Sequence, residues 1–316
     1  MPQKTGLPGD QKRKVIAILV TTALAGLLTY WGVHVIGKYG IALFILTPLF
    51  IGFVPAVLYG YRRGITRPEA YTIGFLSLAV FLVGLAVAAM EGVICIVMSI
   101  PLGMILTFIG SWLGYFIVDK TPGSAHITSL ILLCSIPAIA FIEKDQQPTL
   151  TSVTTSIEIA ADPETVWKNV LEFPRLAEPS EFIFRTGIAY PISARIEGSG
   201  VGAIRHCHFS TGSFVEPITV WEQPRLLKFK VVQQPEPMKE LSFWDIDAPH
   251  LHDYFVSKEG QFKLTRRPGG HTLLEGTTWY AHDIRPEFYW RLWSNYIIHR
   301  IHERVLFHIK QNAEKK

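Results

Sequence analysis

The sequence predicts an all-α membrane bundle of five transmembrane helices followed by an α+β domain. Three observations predict it. Residues 15–142 are a series of apolar runs, each near the length of a bilayer crossing, broken by short polar turns. Beyond residue 151 the chain carries short alternating strands and a long amphipathic closing helix. Between them, residues 152–176 (SVTTSIEIAADPETVWKNVLEFPRL) hold a strand, a helix-start signal and an amphipathic helix, and there the chain changes solvent.

Of the 316 residues, 49% are hydrophobic, and the formal charge of +4 is unevenly placed. Residues 1–150 hold 10 Lys and Arg against 6 Asp and Glu, whereas residues 151–316 hold 20 of each. The excess therefore belongs to the apolar half, where basic residues set orientation in a membrane. No basic stripe interleaved with aromatics is present, which argues against nucleic-acid binding. Cys95, Cys134 and Cys207 have neither disulfide nor zinc spacing and read as buried small hydrophobes.

Residues 1–14 form a polar tail, read as cytoplasmic, with Lys12, Arg13 and Lys14 abutting the first run. That run, 15–37, is too long for a signal peptide; at 1.5 Å per residue it spans about 34 Å, enough for a bilayer core of roughly 30 Å. The second span is 41–61. The apolar stretch 71–118 is interrupted only at Glu91-Gly92 and so divides into spans 71–90 and 93–118, with Glu91 in the turn between them. The fifth span is 125–142. Gly110 and Gly114 form a GxxxG pair, which suits close helix packing and a homo-oligomer through the membrane helices. Basic residues concentrate in the N-terminal tail and the 62–67 loop, with one more at Lys120, against only Lys38 in the intervening loops. The positive-inside rule then places the N-terminus in the cytoplasm; five crossings place the C-terminal domain outside a bacterial inner membrane, whereas an interfacial 125–142 would leave it in the cytoplasm.

A linker at 143–151 leads to the domain at 152–316. Asp162 before Pro163 is a helix-start pair, and Val166, Trp167, Val170 and Leu171 then form an apolar stripe. Candidate strands follow at 182–185, 194–197, 203–209, 214–221, 226–232, 261–266 and 272–282, with a glycine-rich turn at 198–202. The closing helix runs from Pro286 to about residue 311. Its apolar face is read through Trp290, Trp293, Ile297, Ile301 and Val305, with Arg300, Arg304 and Lys310 opposite. Strand, helix, antiparallel meander and long helix make an α+β order in which only the last helix is long enough to cover the sheet.

The entry IEIAADPETVW (residues 157–167), the Gly200/Gly202 turn, the meander and the closing helix resemble the START-like, helix-grip superfamily (SRPBCC). Within it they are most similar to the polyketide cyclase/dehydrase and lipid-transport type. The resemblance covers about residues 151–311 and none of the membrane half. It implies a curved antiparallel sheet around the C-terminal helix, with a deep apolar cavity between them. It transfers no catalytic motif, so the catalytic residues are unassigned, and it implies no cofactor.

Strand parity selects the cavity lining. Taking Thr211-Gly212 as a two-residue hairpin loop pairs Phe209 with Phe214, Cys207 with Glu216 and Arg205 with Ile218. One face then carries these apolar side chains and, diagonal to each other, Arg205 and Glu216, an opposite-charge pair expensive to bury unless paired or given a ligand. His206 and His208 fall on the other face, opposite Pro217 and Val215, and no metal site is assigned. The insertion 233–254, with Asp245, Asp247, His250, His252 and Asp253, reads as a solvated loop over the cavity. Pairing Leu264 with Leu274 turns Thr278, Tyr280 and His282 inward. With Phe214, Phe229 and Trp293, these complete the candidate ligand-binding set. His299 and His302, at i and i+3, read as boundary residues.

The function these readings support is membrane-anchored binding or transfer of a lipid or other hydrophobic small molecule. Two alternatives stand beside it. One is an enzyme of the polyketide cyclase/dehydrase type acting through Tyr280, His282, Arg205 and Glu216, against which the sequence offers no nucleophile motif or phosphate loop. The other is a ligand-sensing or assembly membrane protein.

Overall fold

The computed structural model describes residues 8–121, 123–239, 241, 249–252 and 254–315. The chain divides into a helical unit and an α+β unit.

In the helical unit, α1 (Pro8–Tyr30) continues as a π-helical turn (Trp31–Ile36) that Gly37 ends in the left-handed conformation (φ 72°). A second π-helical turn (Ala42–Leu46) runs into α2 (Thr47–Gly60). Helix α3 (Arg67–Val87) starts from a capping box in which Thr66 and Glu69 satisfy each other's backbone donors. Helices α4 (Val93–Lys120) and α5 (Ala125–Glu143) follow. Five helical stretches, Gly9–Ile36, Ala42–Gly60, Arg67–Val87, Val93–Lys120 and Ala125–Glu143, are long and apolar enough to cross a membrane. Their ends sort by side. At one end Glu143 accepts from the Ile41 and Ala42 backbone N–H groups (2.8 and 3.3 Å), so the α1–α2 turn and the end of α5 lie together. At the other, Arg63 bridges Asp10 (2.9 Å) and Glu69 (3.0 Å), joining the starts of α1 and α3 to the end of α2. Glu91 lies in the α3–α4 turn but is buried. Cys134 is exposed and Cys95 half-buried, contrary to their reading as buried; only Cys207 is.

The GxxxG pair is used within the chain, which removes it as evidence for a helix-mediated oligomer. A Cβ on Gly110 would stand 2.3 Å from the Leu49 carbonyl oxygen, and one on Gly114 2.8 Å from that of Phe53. Gly52 answers from α2, where a Cβ would meet the Thr107 carbonyl oxygen at 2.2 Å. Backbone meets backbone along this seam, and no side-chain rotation can make room. Gly110→Val is therefore expected to cost the helical unit about 1–3 kcal/mol or more, by the overpacking rule. Gly84→Val, with open space around it, should be nearly silent. Helix content against rising denaturing detergent reads the difference, and equal effects of the two changes would contradict it.

In the α+β unit, β1 (Thr151–Ile159) leads to α6 (Pro163–Leu171). Asp162 caps α6 by accepting from the Thr165 N–H (2.9 Å), and Val166, Trp167 and Val170 are buried. Residues 182–185 are a one-turn helix, α7 (Phe182–Arg185), where the sequence suggested a strand. The edge of β2 (Pro191–Glu197) is already taken by the preceding segment: Phe173 and Ala194 exchange backbone hydrogen bonds (3.0 and 3.1 Å). The chain then forms β3 (Ile204–Phe209), β4 (Gly212–Glu222), β5 (Leu226–Lys230), β6 (Phe255–Arg267) and β7 (His271–His282), and ends in α8 (Glu287–Ala313). Gly198, Gly200 and Gly202, all with positive φ, make the β2–β3 turn, a conformation that non-glycine residues rarely adopt. One antiparallel sheet results, in the order β1-β7-β6-β5-β4-β3-β2. Its core joins Ile159, Trp167, Leu227, Phe262 and Leu274 to Leu306 and Ile309 of α8.

Helix α8 is turned partly away from the expected face. Of that face Trp290 and Val305 are buried and Trp293, Ile297 and Ile301 half-buried. Beside it Ile298, Leu306 and Ile309 are buried, while Phe288, Leu292, Tyr296 and Phe307 are exposed. Asp245, Asp247, Asp253 and the His250 side chain lie outside the described residues.

Candidate functional site

The β3–β4 hairpin turns at Ser210-Thr211, two residues out of register with the sequence-based pairing, because those two side chains find partners elsewhere. Ser210 Oγ accepts from the Tyr190 N–H (3.2 Å), and Thr211 Oγ1 donates to the Glu236 carbonyl (2.7 Å). Arg205 therefore pairs directly with Glu216, Cys207 with Phe214, His206 with Val215 and His208 with Ser213. A shift of two keeps every side chain on its expected face.

Arg205 and Glu216 are 2% and 6% exposed and form an ion pair inside the apolar core. The guanidinium sits 5.4–5.8 Å from the ring centres of Phe173, Phe229 and Phe262, a cation–π setting on three sides. Burial opposes the Arg205 cation, but Glu216 and then Cys207 outweigh it, so its pKa stands above the ordinary value. Burial likewise pushes Glu216 up against the pull of Arg205, and pushes the Cys207 thiol up to about 12, leaving it protonated and inert. Among the described residues Arg205 Nε has no hydrogen-bond partner. A buried donor left unused carries a desolvation penalty of about 1–3 kcal/mol, or more on a charged group, that an acceptor would relieve.

A second group forms where β7 faces α8. Tyr280 is fully buried, donates to Asn295 Oδ1 (2.7 Å), stacks on Phe255 at 5.2 Å and lies 6.0 Å from the buried His282 ring. Thr278 Oγ1 is 2.8 Å from His302 Nε2, while Thr155 Oγ1 is 3.0 Å from His302 Nδ1 and 2.7 Å from His299 Nδ1. The two histidines, read from the sequence as boundary residues, are half-buried and bonded to strand threonines. Burial, with His299 next, pushes His302 down to about 4 and keeps it neutral. Their i, i+3 spacing was the sequence signal; the threonines completing the network had none.

The candidate residues therefore fall into two groups. Arg205, Glu216 and Phe229 meet, with Phe214 beside them on β4 across from Cys207; Thr278, Tyr280 and His282 lie on β7, with β6 between the two sets. Of the four residues of the enzyme alternative, Arg205 pairs with Glu216 and Tyr280 stacks near His282. Trp293 is half-buried on α8. Among the described residues no group of three His, Cys, Asp or Glu is placed to hold a metal ion. A cleft of about 470 Å³, within the usual range for small-molecule sites, opens between β1, the 176–181 segment and α8. Ile157, Leu176, Leu306 and Phe307 give it apolar walls, and Thr155 links it to the His302 network. Arg304 stands at its rim, donating through Nε to the Pro191 carbonyl (3.2 Å) and through a terminal nitrogen to that of Ala177.

The sheet order, the closing helix and the apolar interior have a counterpart among known families. Residues 151–280 match the family described as "Polyketide cyclase / dehydrase and lipid transport". This helix-grip segment is similar to that family over 130 of the 316 residues. The helical unit has no such assignment. Solved structures similar to the helix-grip domain include truncated norcoclaurine synthase from Thalictrum flavum (14% identity, 54% of this chain and 98% of that one, TM-score 0.34). An aromatase/cyclase, ZhuI, from Streptomyces sp. R1128 is similar at 11% identity (52% and 94%, TM-score 0.35). An uncharacterised protein from Bacillus thuringiensis is similar at 15% (52% and 100%, TM-score 0.33). No curated protein matches the chain.

Proposed function

We propose that this chain is a multi-pass membrane protein whose helix-grip domain binds or transfers a lipid or other hydrophobic small molecule. The observation that carries the reading is a buried cation with an unused donor, Arg205, enclosed by three phenylalanine rings in a domain similar to this family. Apolar walls suit a hydrocarbon body, and Arg205 with Glu216 suits one polar group on it. The candidate set is Arg205, Glu216, Phe214, Phe229, Thr278, Tyr280, His282 and Trp293. Five apolar helices anchor the domain, and the weight of Arg62, Arg63 and Arg67 at the Asp10 end supports a cytoplasmic N-terminus in an inner membrane.

Solvent extraction and mass spectrometry of the purified full-length protein test this. An apolar molecule retained through detergent exchange, in an amount comparable to the chain, is the expected result, and its absence after incubation with lipid vesicles would overturn the reading. A reporter fused after Lys316 reads the side, with activity outside the cytoplasm expected.

A further inference from the structure

We infer that the first three turns of α8 lie in the lipid–water interface, with Phe288, Leu292 and Tyr296 inserted among the lipids. This rests on reading the five apolar helices as membrane spans. The three side chains are spaced i, i+4 and i+8, so they form one stripe, and they are 70%, 68% and 44% exposed. An exposed stripe of large apolar groups on a helix whose opposite side packs on the sheet calls for a covering partner. Its chemistry is that of a membrane interface. Residues 288–296 (FYWRLWSNY) hold five aromatics, including the Trp and Tyr enriched where one end of a side chain is apolar and the other wet. Arg285 and Arg291 stand beside the stripe with Asp283 and Glu287, while Arg300 pairs with Glu303, so the stripe is bordered by charged groups that suit a headgroup region. Arg300 sits over the Tyr296 ring at 5.4 Å.

The depth follows from the chain just ahead of α8. Residues Ile284–Glu287 pack as part of the helical unit: Ile284 bridges to Tyr39, and the Arg285 N–H donates to the Tyr39 carbonyl (2.8 Å). Tyr39 belongs to the turn between the first two apolar helices, which is where a spanning bundle meets headgroups. Helix α8 (Glu287–Ala313) begins at the end of that segment, and its first three turns extend about 15 Å. Further along the same face come Arg300 and Glu303, which pair at 2.8 Å, and there the stripe gives way to charge.

Photo-crosslinking of the full chain in vesicles of mixed zwitterionic and anionic phospholipid tests the inference. Benzoylphenylalanine is placed singly at Phe288, Leu292, Glu303 and, as a reference on α5, Phe141, which is 64% exposed. Lipid adducts at Phe288 and Leu292 matching the yield at Phe141, with none at Glu303, are expected. Adducts at Phe141 alone, or crosslinks from Phe288 and Leu292 to a second copy of the chain, would overturn the inference and leave the membrane reading standing. No adduct at Phe141 either would overturn both.

Discussion

Glu216→Leu is expected to lower the unfolding free energy of the helix-grip domain by about 3–5 kcal/mol, the cost of stripping one partner from a buried ion pair. Arg205 cannot shed its proton and is held among three phenylalanine rings at 2% exposure, so it has no route to water. Adding Arg205→Met should restore most of the loss, since a well-packed apolar pair is often as stable as the ion pair it replaces. The denaturant midpoint of the domain's transition in the full-length chain, followed through Trp167 and Trp221, reads both variants. A double variant as unstable as the single one would show that Arg205 and Glu216 are not coupled. A pair kept for the fold alone would leave ligand binding intact in the double variant, whereas the proposed role predicts its loss.

The domain is also expected to lose stability between pH 6.5 and about 4 through His302. Its imidazole titrates near 6.5 in the unfolded chain but is pushed down to about 4 in the fold. As pH falls through this window the unfolded chain takes up a proton that the folded domain refuses, so the contribution is complete above 6.5 and gone near 4. The shift corresponds to about 3 kcal/mol. His302→Gln, which keeps an acceptor and a donor for Thr155 and Thr278, should flatten the pH dependence in this window while leaving the loss from carboxylates at lower pH. Wild type and variant falling in parallel across the window would count against a neutral buried His302.

Local signals were legible where one element decided the outcome. The Asp162-Pro163 helix start, the Leu264–Leu274 pairing and the inward turn of Thr278, Tyr280 and His282 need only capping, hairpin geometry and strand parity, and all three are as read. What escaped required distant partners. The β3–β4 register moved because Ser210 and Thr211 bond to Tyr190 and Glu236, about 20 residues away on either side. Residues 182–185 did not join the sheet because Phe173 already occupies the edge of β2. Gly110 and Gly114 gave the correct signal, close packing, but a sequence cannot say whether the approaching helix is α2 or another copy. The buried face of α8 is only partly legible, Trp290 and Val305 being buried as read, because its exposed side is also aromatic, which weakens a periodicity argument that counts apolar residues.

The central claim is that a hydrophobic molecule occupies the helix-grip interior and is recognised by Arg205 and Glu216. Native mass spectrometry of the full-length protein released from lipid nanodiscs, comparing wild type with the folded Arg205→Met/Glu216→Leu variant, tests it most directly. The account predicts a non-covalent apolar adduct on the wild type that the double variant lacks, with lipids held by the five helices common to both. Identical adduct patterns in the two proteins would contradict it.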